Sequence, residues 1–251
     1  MAASLGIRIA RLAFVVAIFA LWEALSRTGA VNPRLLPSAS ETLATLSDLL
    51  QRTSVRNDLA VTAIEVLTAF ALAVPAGCLV GFAIAEDRYL GEVVKPLLFF
   101  AFSIPKSIFL PMFILVFGVG FAEKVGFGFF STVFIVILST TTAVESVKVQ
   151  YLTVARSFGA TPVQTVFRVY LPSMLPVLLE ALRISMIFNL TGVILAEMYA
   201  SRDGIGHQIA TWGENFQMKQ LLAGVVMIAV IAIAFNETVR WVESRCSHWR
   251  T

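Results

Sequence analysis

The chain has only 2 cysteines and 2 histidines among 251 residues, and charged side chains make up 14% of it. Cys78 lies in an apolar run and Cys246 in a polar tail, so they form no disulfide framework and both are expected unpaired. His207 and His248 belong to no histidine–cysteine cluster with metal spacing, and neither HExxH nor GxSxG occurs. The phosphate-cradling pattern GxxxxGK[ST] is also missing, so the chain is not expected to hydrolyse ATP or to carry a cofactor of its own. The formal net charge is +3, and no nucleic-acid partner is expected.

What is abundant is hydrophobic sequence: 58% of the residues are apolar and the mean hydropathy is +0.83. That composition excludes an ordinary soluble domain and predicts an all-α integral membrane protein in contact with lipid. A bilayer core of roughly 30 Å asks for runs of about 20 residues, and the apolar runs place about six spans in a single domain, 1–251. They fall near 9–25, 59–85, 108–120, 126–142, 174–200 and 221–238.

The first run follows Arg8 and Arg11 and has the look of either a signal-peptide core or a first span. A retained span is expected, because Arg27-Thr28-Gly29-Ala30 is a weak cleavage signal. Between 32 and 58 the chain is polar, with a short helix predicted over 42–51. Span two contains Pro75 and a Gly77-xxx-Gly81 spacing that permits close helix approach. A charged turn, 86–95, then leads to an interfacial helix near 96–103, and Pro105 and Pro111 rule out one straight third span. Polar residues inside spans are expensive in lipid and point to function. On that ground Glu65, Ser185, Asn189, Thr191 and Glu197 are candidates for a translocation path, with Met186 or Ile187 as candidate constrictions, and 201–219 reads as a loop.

Residues 144–172 are the one long amphipathic stretch. Val144, Val147, Tyr151, Val154, Ala155 and Phe158 repeat at helical spacing, which predicts a helix resting its apolar stripe on a surface. Lys148, Gln150, Thr153 and Arg156 would face away. Gly159 suits a left-handed C-cap, and Thr161-Pro162-Val163-Gln164 restarts a helix with a threonine cap, a proline in the first turn and a glutamine three residues on. Leu171-Pro172 is expected to stop it. Two short helices joined at a glycine, outside the bilayer, predict a surface for another protein.

Six spans put both termini on one side. With that side cytoplasmic, the inner segments hold Arg8, Arg11, Arg88, Lys95, Lys148, Arg156, Arg168, Arg240, Arg245 and Arg250. The outer ones hold Arg27, Arg34, Arg52, Arg56, Lys124, Arg202 and Lys219, a smaller set, as the positive-inside rule asks.

These residues resemble the permease subunits of bacterial binding-protein-dependent ABC importers. The cytoplasmic EAA loop of that family reads E-A-A, three residues, G, nine residues, a hydrophobic residue, one residue, L-P. Here the register is Thr153-Val154-Ala155, Gly159, Val169 and Leu171-Pro172, with Thr153 in place of the glutamate and Val154 in place of the first alanine. Trp22-Glu23, Leu36-Pro37-Ser38, Phe117-Gly118-Val119-Gly120, Ala196-Glu197 and Gly204-Ile205-Gly206 extend the likeness toward the nitrate, taurine, sulfonate and thiamine-precursor subfamily. The resemblance implies a multi-pass inner-membrane protein with cytoplasmic termini, paired with a second copy. It also implies ATPase subunits that bind ATP and Mg, and a periplasmic or lipid-anchored binding protein. Lys148, Gln150, Thr153, Ala155, Arg156, Gly159, Ala160, Leu171 and Pro172 would contact the ATPase. A rival reading, an autonomous secondary transporter or channel, would call for inverted repeats, and none is visible in the sequence.

Overall fold

The computed structural model describes residues 2–246. The expectations resting on the side chains of Arg8, Arg245 and Cys246, and on His248 and Arg250, lie outside what is described. The helices in order are α1 (Ala2–Arg27), α2 (Ala39–Gln51), α3 (Thr53–Glu86), α4 (Arg88–Ser103), α5 (Leu110–Phe117) and α6 (Phe121–Glu145). They continue with α7 (Val149–Ser157), α8 (Pro162–Thr165), α9 (Leu171–Tyr199), α10 (Ile205–Glu214) and α11 (Met218–Cys246). Among the described residues, 5 helical segments are long and apolar enough to cross a membrane, Ile9–Arg27, Thr53–Glu86, Phe121–Glu145, Pro162–Tyr199 and Met218–Trp241. The pair formed by Arg88–Ser103 and Lys106–Phe117, bent by 82°, brings the number to 6 when it is counted as one broken span.

Four boundaries differ from the sequence expectation, each for a local reason. The charged turn at 86–95 is helical from Arg88, because the Asp87 side chain accepts from the amides of Tyr89 and Leu90 at 2.9 and 3.1 Å. Span four begins at Phe121 rather than near 126, drawing Glu123 and Lys124 into its buried first turn. Pro172 does not stop a helix. A π turn over Val166–Tyr170 precedes it, the Leu171 amide bonds back to the Val166 carbonyl, and the wider turn makes room for the proline ring, so helix continues from Pro162 to Tyr199. The 201–219 loop contains α10, whose Ile205, Ile209 and Trp212 are buried.

The bend between α4 and α5 follows from Pro105, which holds Ile104 extended (ψ 129°) and ends α4. Just after the bend, Lys106 Nζ donates to the Phe102 carbonyl at 3.3 Å and stands 4.3 Å from the Phe102 ring centroid. At the other end of the chain, the turn from α1 to α2 is tied by Trp22 Nε1 donating to the Pro37 carbonyl (3.0 Å) and Ser26 Oγ to the Leu36 carbonyl (2.8 Å). Glu23 accepts from Arg27 at 2.6 Å and from the Ser40 amide at 3.0 Å, so the Trp-Glu and Leu-Pro-Ser segments are two sides of one joint.

The centre is a bundle of α3, α6 and α9. In lipid there is little hydrophobic drive between helices, so close contact depends on small residues. A Cβ on Gly77 would come within 2.7 Å of Val136, and one on Gly81 within 2.6 Å of the Ile137 carbonyl oxygen. The Gly77-xxx-Gly81 spacing therefore packs α3 on α6 within one chain. Gly128 meets Val193, and Gly192 meets Ser131, in the same way between α6 and α9. One end of this bundle carries α7 and α8; the other carries α2 and α10.

Candidate functional site

At the first end, α6 stops at Glu145 and the chain turns through Ser146, Val147 and Lys148 before α7. This break resets the helical register, which overturns the single stripe expected from 144 to 158. Val144 and Val147 are buried with Ala143 and Met174, and Leu152, Val169 and Tyr170 pack against them. Tyr151, Val154 and Phe158 point outward, with Phe158 87% exposed. Val163 and Phe167 are exposed too. Lys148, Gln150, Thr153 and Arg156 are exposed as expected, while Ala155 and Ala160 are half-buried. The helix pair thus rests on Leu152 and shows apolar side chains to its surroundings.

The joint between α7 and α8 has the geometry its residues predict. Gly159 has φ +70°, its amide bonds to the Arg156 carbonyl (2.9 Å), and the Ala160 amide reaches the Ala155 carbonyl (3.0 Å), a Schellman closure. Thr161 and Gln164 exchange side-chain and backbone bonds at 2.9 and 3.3 Å, a complete capping box. Thr153, which stands where the family glutamate would, bonds its own helix, Oγ1 donating to the Val149 carbonyl at 3.1 Å. Leu171 is exposed and Pro172 half-buried where the π turn meets α9.

The opposite end holds a buried polar cluster. Lys124, 1% exposed, sits between Glu65 (2.9 Å) and Asp203 (2.7 Å). Glu197 accepts from Thr62 Oγ1 at 2.5 Å and from the Gly206 amide at 2.7 Å. Thr62 Oγ1 also accepts from the Ile205 amide at 2.9 Å, and Asp58 takes the Gly204 amide at 3.0 Å and Gln208 at 2.7 Å. The Lys124 ammonium, hydrogen-bonded to Asp203, holds that carboxyl below its ordinary range. Gly204, φ +95°, and Gly206 leave no space for a Cβ above Glu197.

Of the residues expected along a path, Glu65, Ser185, Asn189 and Glu197 are buried in the three-helix interior. Asn189 donates to the Val66 carbonyl at 2.7 Å. Thr191 is on the exposed side of α9, donating to its own Ile187 carbonyl at 2.8 Å. Met186 lines a largely apolar cavity of about 180 Å³ between α3, α9 and α11, together with Val66, Leu190 and Phe235. Within one chain these six residues do not surround a common channel. Sequence reasoning missed Lys124, Asp203, Thr62 and Asp58. The available signal was Lys124 itself, a charge abutting an apolar run, which was assigned to an outer loop.

Comparison with known proteins agrees with this architecture. The chain is 25% identical over 237 residues to the taurine transport system permease protein TauC of Escherichia coli (strain K12), covering 92% of this chain and 86% of the relative. It is 25% identical to the formylaminopyrimidine transport permease protein ThiX of Halalkalibacterium halodurans, with 94% of each chain covered. A bacterial ABC transporter involved in the import of the acidic polysaccharide alginate has a chain of the same fold, with TM-score 0.69, 15% identity, and coverage of 97% of this chain and 94% of that one. The family model described as binding-protein-dependent transport system inner membrane component matches residues 73–248. With that match over most of its length, the chain belongs to the binding-protein-dependent transport system inner membrane components, the permease subunits of ABC importers.

Proposed function

We propose that this permease carries a small polar solute of the sulfonate or aminopyrimidine class and is driven through α7 and α8 by a separate ATPase that binds ATP and Mg. The observation that supports the coupling role is the set of exposed apolar side chains on two rigidly capped helices that rest on the ends of α6 and α9. A pair of helices resting on span ends can move those spans when it is pushed. Lys148, Gln150, Thr153 and Arg156 edge the surface with polar contacts, and Ala155, Gly159, Ala160, Leu171 and Pro172 shape it. This end is cytoplasmic in our reading, as are both termini.

The solute class is argued from likeness to permeases named for taurine, for aliphatic sulfonates and for formylaminopyrimidine. A second copy would complete the path, along the exposed stripe of α9 that carries Ile184, Ile187, Phe188 and Thr191, with Met186 nearby and Glu65, Ser185, Asn189 and Glu197 supporting it from inside. A binding protein would deliver solute at the α10 end. Membership of a binding-protein-dependent family argues against the autonomous transporter or channel.

Uptake tests both parts. Cells lacking their own sulfonate and formylaminopyrimidine systems and given this permease with its ATPase and binding protein should take up taurine or formylaminopyrimidine, and Gly159→Asp should insert normally but lose both the ATPase and uptake. Uptake of neither solute overturns the class; full uptake by Gly159→Asp overturns the coupling role.

A further inference from the structure

Residues 201–206, the approach to α10 and its first two residues, are fastened to the bundle by a set of side-chain bonds. The amides of Gly204, Ile205 and Gly206 go in turn to Asp58, Thr62 and Glu197. Asp203 goes to Lys124 at 2.7 Å. Every acceptor or partner stands on α3, α6 or α9. The other face of α10 is held differently: Ile205, Ile209 and Trp212 share one apolar cluster with Leu49 of α2, Val55 of α3 and Ala223 and Met227 of α11. Directional, charge-assisted bonds fail together once their geometry is lost, whereas apolar packing tolerates small shifts. The weak side of α10 is therefore the polar one.

The ion pair also straddles the surface. The Lys124 side chain is 2% exposed and that of Asp203 58%, so water competes for one end only. If Asp203 leaves, Lys124 keeps Glu65 at 2.9 Å, and the core is not left with an unpaired cation. Thr62 and Glu197 likewise keep each other when the two amides depart. The cluster can open without stranding a charge.

We propose that the Lys124–Asp203 pair is the release point of a latch at the end of the bundle opposite α7. When it opens, 201–204 lifts from α3 and α6 and the first turn of α10 loosens from α3 and α9, while Ile209 and Trp212 stay with α2 and α11, uncovering the ends of the three central helices.

Hydrogen–deuterium exchange on the full chain in lipid nanodiscs tests this, since the three amides have side-chain partners that belong to the latch alone. Asp203→Asn should speed exchange at 204–206 by at least about tenfold, with α9 and α11 unchanged and Asp203→Glu protected as in the wild type. Unchanged exchange at 204–206, or an equal rise along α9, overturns the latch. In a Cys78→Ala, Cys246→Ala background, Ala223→Cys lies beneath α10 and should stay closed to a membrane-impermeant maleimide when Asp203→Asn is added. Labelling there would mean that α10 leaves α11 instead, and it would overturn the proposed direction of release. Neither the solute nor the ATPase enters these measurements.

Discussion

The Gly206 amide donates to Glu197 Oε2 at 2.7 Å, and the Gly206 Cα lies so close to α9 that a Cβ would be 2.6 Å from the Ile194 carbonyl oxygen and 2.7 Å from the Glu197 Cβ. Backbone and helix are neighbours that no flexible side chain can separate. Gly206→Ala should therefore force α10 away from α9 and cost about 1–3 kcal/mol, the range for overpacking a filled interior. Thermal unfolding of the purified protein would register the loss as a lower Tm; an unchanged Tm would show that the contact yields freely.

Lys124 predicts a sharper asymmetry. Removing it leaves Glu65 buried at 1% exposure without its cation, and breaking a buried pair costs about 3–5 kcal/mol. Lys124→Met alone should be strongly destabilising, and adding Glu65→Leu should recover part of the loss because the buried Glu65 carboxylate is then no longer stranded. Additive losses in the double variant would show that the two side chains act independently.

How much of this was legible in the sequence depended on whether the signal was local. The Gly159 cap and the Thr161–Gln164 box are set by residues a few positions apart, so spacing alone placed them. The outward turn of Tyr151, Val154 and Phe158 was not legible, because periodicity carried across Ser146–Lys148 treats a broken helix as one. Pro172 misled for the opposite reason: a π turn absorbs the proline that spacing reads as a stop. The Lys124 cluster joins α3, α6, α9 and 201–206, and its three groups, 58–65, Lys124 and 197–206, are far apart in the chain, as with the 79 residues between Lys124 and Asp203. Only packing brings such groups together, and a single sequence shows the charges without showing their partners.

Asp203 makes the cluster sensitive to acid. Its carboxyl, held below the ordinary range by the Lys124 hydrogen bond, is more acidic folded than unfolded. The stabilisation is therefore fully present above the unfolded value, about 3.9, and is lost as pH falls through the lower folded value. Asp203→Asn lacks that stabilisation, so its Tm deficit against the wild type should be widest near neutral pH and should shrink below about pH 4. A deficit that stays constant from pH 7 to about pH 3 would mean that charge at this position does not stabilise the fold.

Phe158 separates docking from folding. It is 87% exposed, so replacing it removes almost no packing within the chain, and substitutions at such positions change stability by less than about 0.5 kcal/mol. A large exposed aromatic on a segment outside the spans is the kind of residue that anchors an interface, where truncation costs about 2 kcal/mol or more. Phe158→Ser should leave Tm unchanged while weakening retention of the ATPase during purification by at least about tenfold, the equivalent of 1.4 kcal/mol. The conservative Phe158→Leu should keep most of the retention, because an apolar body still fills the partner's pocket. If Phe158→Ser lowers Tm instead, the side chain belongs to the fold. If both variants retain the ATPase like the wild type, the coupling surface lies elsewhere on the 149–170 segment.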